Sequence, residues 1–152
     1  MRISNDTSRA FALLFARGVL GFIFLMAGVF KVFTLTPEGH VRRWFLPYTD
    51  TFLPTWSLWA VGLAIPIVEL IAGALVLVGL WIRPALLALG TVLVIVTFGH
   101  LLKQPLYPFH EHVIPRLALV LFVLVLPEQD DRFSVDHFLR VRLRDAGRES
   151  EA

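Results

Sequence analysis

Four long apolar runs divide the chain, each bounded by charged or proline-bearing stretches: Phe11 to Phe33, Trp56 to Ile82, Pro84 to about Leu102, and Phe109 to Leu126 or Pro127. A hydrocarbon core of roughly 30 Å needs about 20 apolar residues at about 1.5 Å each, so each run predicts a membrane-spanning helix. The fourth is marginal in length. The short Arg83-Pro84 junction leaves almost no loop, which makes helices two and three antiparallel neighbours, with Pro84 suited to a helix start. The expected fold class is all-α: a transmembrane antiparallel four-helix bundle forming one membrane domain over residues 1–152, with a polar tail from 128 to 152.

The second run carries a single charge, Glu69, close to its middle. An ionised group there needs a partner or a wet cavity. At helical spacing its neighbours are Gly62, Pro66, Ala72 and Gly73, small residues that let another helix approach, so Glu69 is expected to point into the bundle. Pro66 frees the carbonyl of Gly62 one turn earlier and bends the helix. In the first run Arg17, Gly21, Phe24, Gly28 and Lys31 fall on one stripe, the composition of a packed interior face. Arg17 and Lys31 can instead snorkel to the headgroups at either end.

The connection from Thr34 to Thr55 holds three prolines, Arg42, Arg43 and the aromatics Trp44, Phe45, Tyr48 and Phe52, a mixture suited to headgroup depth or to capping a pocket. After Pro127 the chain turns polar. Ser134 can cap a helix carrying Val135, Phe138, Leu139 and Leu143 among Arg140, Arg142 and Arg144, an amphipathic segment expected to lie on the membrane surface and to be dispensable for insertion. Counting lysine and arginine around four spans gives eight on the side of the termini (Arg2, Arg9, Arg83, Arg132, Arg140, Arg142, Arg144, Arg148) against four opposite (Lys31, Arg42, Arg43, Lys103). The excess places both termini in the cytoplasm and the protein in the cell's inner membrane.

Composition agrees and narrows the chemistry. Apolar residues make up 57% of the chain and the mean hydropathy is +0.72, values of a membrane protein in contact with a lipid bilayer. There is no cysteine, which excludes thiol redox and metal–thiolate chemistry on its own side chains. A net charge of +2 with arginines in loops and tail gives no reason to expect nucleic acid.

The first-run pattern RGVLGFIFLMAGVFKVF (Arg17, Gly28, Lys31), the second-run VELIAGALVLVGLWIRPA (Glu69, Gly73, Gly79, Arg83) and RFSVDHFL (Ser134, Asp136) resemble the DoxX family of small four-helix membrane proteins, from Arg17 to Leu139. The long aromatic loop and the histidines His110 and His112 depart from that pattern. The resemblance implies association with thiosulfate–quinone or other membrane redox systems, in a family many of whose members have no established activity.

The residues themselves allow three kinds of function. Side chains lean toward a helix N-terminus, which sends Glu69 and Arg116 toward the outer face and makes them the expected pair, either as a structural pin or as the wall of a polar pocket. Such a pocket suits a quinone-like ligand contacted by Glu69, Arg116, His100, Arg17 and Lys31, with His100 equally suited to a wall role. If catalytic, the chain is then a quinone-linked oxidoreductase subunit whose electrons come from a membrane or redox partner protein or a bound cofactor, since no nucleotide loop or flavin motif is present. A bis-histidine haem is a weaker reading. The second kind is a non-catalytic assembly or scaffold subunit whose small-residue grooves receive another membrane protein, with homo-oligomers among the partners admitted. The third is metal handling by His40, His100, His110, Glu111 and His112 at the outer face.

Overall fold

The computed structural model describes residues 5–104, 106, 108–126 and 130–150, so Arg2, Pro105 and Pro127 lie outside the described residues. All regular structure among these is helical: α1 (Asn5–Val29), α2 (Pro37–His40), α3 (Thr55–Val78), α4 (Ile82–Lys103), α5 (Phe109–Val125) and α6 (Val135–Ser150). π-helical turns occupy Phe30–Thr34 and Val41–Phe45, and a 3₁₀ turn Leu46–Asp50. Three helices are long and apolar enough to cross a membrane: α1 with its π-helical extension (Asn5–Thr34, 30 residues), α3 (24 residues) and α4 (22 residues). α5 is 17 residues long.

α1 packs mainly on α3, and glycine is the reason the two come so close. A Cβ on Gly28 would lie 2.4 Å from the Leu70 nitrogen, one on Gly73 2.5 Å from the Leu25 nitrogen, and one on Gly21 2.8 Å from Leu77. No side chain fits at such distances, so backbone meets backbone. These matched positions run in opposite directions along the two helices, which are therefore antiparallel. The predicted stripe is the buried one, with Arg17, Gly21, Phe24 and Gly28 inside on α1 and Gly62, Pro66, Glu69, Ala72 and Gly73 inside on α3. α4 lies against α3, and α5 against both α4 and α1. The core runs between these helices through Leu20, Phe24, Val76, Leu86, Leu89 and Val120. Large apolar side chains also cover the outward faces, among them Phe15, Phe22, Met26, Ile71 and Val94. Two apolar faces per helix suit lipid outside and protein inside.

The turn between α3 and α4 differs from the sequence expectation. α3 stops at Val78, not Ile82, because Gly79 takes a left-handed conformation (φ 77°) and both Gly79 and Leu80 donate to the Leu75 carbonyl, at 2.9 and 3.0 Å. This is a Schellman stop. Trp81 is also left-handed (φ 48°), and α4 begins at Ile82, with Pro84 in its first turn.

The chain after α5 packs against the bundle through residues 131–136 before α6 continues. Asp131 and Ser134 are 3% and 4% exposed. Ser134 Oγ accepts from the His137 nitrogen at 3.1 Å, the predicted cap of α6, and the Asp136 nitrogen donates to the Gly79 carbonyl at 3.0 Å.

Gly79 therefore serves twice, since a Cβ there would lie 1.7 Å from Arg17 Nη1 as well as straining the turn. Gly79→Ala is expected to cost about 2 to 3 kcal/mol, a left-handed penalty of about 1 kcal/mol plus the displaced guanidinium. A thermal melt in detergent checks this, with Gly18→Ala, where a Cβ meets nothing within 4 Å, as the near-neutral control.

Candidate functional site

Two charged sites sit on the buried stripe of α1, at opposite ends. Lys31, in the π-helical turn after α1, donates to Glu69 Oε2 at 2.5 Å. Glu69 is almost wholly buried and the lysine side chain is 24% exposed. The α1–α3 register explains the pairing. Gly28 opposes Leu70, so Glu69 lies opposite Val29 and Lys31 starts two residues, about 3 Å, beyond it along the pair. On antiparallel helices each side chain leans toward its own N-terminus and so toward the other.

The expected pair of Glu69 with Arg116 does not form. α5 packs on α1 and α4, across the bundle from α3, and this holds Arg116 away. Arg116 is half-buried and makes no ion pair among the described residues. Nor does Lys31 snorkel free. His100 bonds the Val96 carbonyl on its own helix at 2.8 Å and meets the Phe109 ring edge-on, the wall role.

A cap formed by residues 36–52 covers the N-terminal half of α3. Thr36 opens it in a strained conformation (φ 64°, ψ 148°), its hydroxyl accepting from the Gly39 nitrogen. Val41 and Phe45 press on Gly62. His40, buried, places Nδ1 2.8 Å from the Gly62 carbonyl, the group that Pro66 frees by having no N–H to give it. A carbonyl only accepts, so Nδ1 carries the proton. The freed carbonyl was legible in the sequence, but His40 as its donor was not. Lys103 pins the other end of the cap through Asp50 and the Pro47 carbonyl, with its ammonium over the Tyr48 ring.

At the other end of the α1 stripe Arg17 is 2% exposed. Its Nη2 donates to the Phe133 carbonyl at 3.0 Å, and its Nε lies 3.5 Å from Asp131 Oδ2. The Asp131 oxygens have no hydrogen-bond donor of their own, so this contact is charge against charge. Burial pushes the Asp131 carboxyl above its ordinary 3.8 while Arg17 pulls it back. Sequence reading missed Asp131, hidden in a polar run that looks like solvated tail. A small cavity beside it is walled by Leu13, Ile82 and Val123.

The histidines expected at a metal site do not converge. His110 and His112 flank Glu111 on the exposed start of α5, while His40 is committed to Gly62. No group of three or more metal-ligating side chains occurs among the described residues.

Two outcomes follow from this geometry. Breaking the Lys31–Glu69 pair with Lys31→Leu or Glu69→Leu strands its partner, at a cost of about 3 kcal/mol, whereas the double change recovers much of that loss. Melts of the four proteins measure the coupling, and additive losses would contradict it. Burial lowers the His40 pKa below 6.5, the Gly62 bond opposes this, and Lys31 lowers it further. A histidine held neutral in the fold stabilises above the unfolded pKa, and that contribution is lost as pH falls through the folded value. The cap should therefore loosen as pH drops below 6.5, read as faster proteolysis between Thr36 and Pro54, and His40→Gln should flatten the profile.

A family model described as DoxX matches residues 12–101. The curated proteins and the solved structures gave no match.

Proposed function

The chain belongs to the DoxX family, and from that premise we propose that it is a multi-pass inner-membrane protein in which the Lys31–Glu69 pair forms the polar end of a site for a quinone-like ligand, serving a membrane redox system. The observation that carries this is the pair itself, an ammonium and a carboxylate held together inside an apolar bundle beneath a cap. Lys31 can donate to a quinone carbonyl and Glu69 can accept from a quinol hydroxyl, while apolar walls suit a lipid-soluble ring. Of the five residues first considered, Lys31 and Glu69 are kept as the ligand contacts. Arg116 and His100 belong to neighbouring helices, and Arg17 to the inner end. Electrons would come from a partner protein or a bound cofactor.

The scaffold reading is weaker, because Gly21, Gly28 and Gly73 face the chain's own backbone and leave no glycine groove there for another helix. For topology, we take α5 as the fourth span of an antiparallel four-helix bundle. Its 17 residues give about 26 Å, at the short end of the spanning range. Both termini are then cytoplasmic and α6 lies along the inner surface, in line with the eight-to-four basic count.

A short-chain benzoquinone added to the detergent-solubilised protein should raise the melting temperature of the parent and leave the Lys31→Leu/Glu69→Leu double variant unmoved. Equal stabilisation of both proteins would remove the ligand from this pair. The chain lacks cysteine, so single cysteines report orientation without background. One at Gly39 should label with an impermeant reagent in intact cells and one at Ser150 should not, and the reverse pattern would invert the topology.

A further inference from the structure

α6 is fastened to the α3–α4 turn through Asp136. The Asp136 nitrogen donates to the Gly79 carbonyl at 3.0 Å, and Asp136 Oδ2 accepts from the Ile82 nitrogen at 3.4 Å. The first satisfies an end carbonyl that α3 cannot satisfy itself, the second an N–H at the start of α4, where Trp81 supplies no side-chain cap. Asp136 thus closes the turn from outside it.

Beyond this fastening α6 turns its apolar residues away from the bundle. Phe138, Leu139 and Leu143 are 56%, 45% and 74% exposed, and with Val135 their spacing puts them on one face. Arg140 and Arg144 stand on the opposite side, and the Arg142 guanidinium lies 4.8 Å over the Phe138 ring, its stem along the apolar face. An apolar face that carries Arg142, with Arg140 and Arg144 behind it and within a Debye length, complements a surface that is both hydrocarbon and negatively charged, and α6 is fastened where the span-length helix α3 ends and α4 begins.

We propose that this face of α6 binds anionic phospholipid headgroups and that Asp136 transmits the binding to the bundle, so that lipid charge sets the stability of the α3–α4 turn. The inference rests on the reading that α6 lies along the membrane surface. A ligand held only by the folded form stabilises it, but a loosely tethered helix could bind lipid without affecting the bundle. The Asp136 bonds remove that independence.

The test reconstitutes the full chain, with a polarity-sensitive fluorophore on a cysteine at Ala146, into phosphatidylcholine vesicles with and without phosphatidylglycerol. The parent should melt several degrees higher with the anionic lipid, its fluorophore should shift to the blue, and high salt should erase both differences. Changing Arg140, Arg142 and Arg144 together to glutamine should abolish both. Asp136→Ala should keep the blue shift and lose most of the melting gain. Equal melting of the parent in the two vesicles, a gain that high salt leaves intact, or a full gain in Asp136→Ala would overturn the proposal. Should Asp136→Ala fail to fold, the parent salt series and the arginine variant still decide. Labelling of the Ala146 cysteine from outside intact cells would overturn the inner-surface reading alone, because the vesicle comparison does not depend on which leaflet is met.

Discussion

Two helix backbones in direct contact set the register on which this structure depends. With hydrogen in place of side chains at Gly21, Gly28 and Gly73, α1 and α3 close until main chain touches main chain, and at that separation the pair has little freedom to slide. Register then decides the electrostatics. It brings Lys31 within reach of Glu69 at one end and sets Arg17 beside the Gly79 turn at the other. A burial that would be costly for any of these charges alone becomes tolerable because each meets an opposite charge or a carbonyl.

Between the two charged sites the stripe is apolar, with Leu20, Phe24 and Val76 buried almost completely. The sites therefore differ in kind. The Lys31–Glu69 site lies under a cap whose histidine meets a backbone carbonyl, and its lysine is partly exposed. The one at Arg17 is sealed by chain that returns after α5.

Much of this was legible in the sequence because period and composition are local properties. The apolar runs, the small-residue faces around Glu69, the interior stripe of α1 and the Ser134 cap all follow from spacing of three and four. Partner choice is not local. The lean of side chains toward helix N-termini was applied correctly to Glu69, yet it selected Arg116, because chain order does not say which helices lie diagonally. The end of α3 was misplaced for a related reason. Leu80, Trp81 and Ile82 are apolar and continue the hydropathy run, whereas Gly79 ends the helix through backbone conformation. Asp131 escaped notice since its run, EQDDR, has the composition of solvated loop, and only the buried Arg17 makes it a core residue.

The Arg17 bond to Phe133 spans 116 positions of the chain, and this bears on how the protein is made. During synthesis the first helix is complete long before its acceptors exist, so its guanidinium must remain with water or headgroups while α3, α4 and α5 are made. Only when residues 131–134 have been made can this end close, so its closure comes last in the order of synthesis, after every helix it seals.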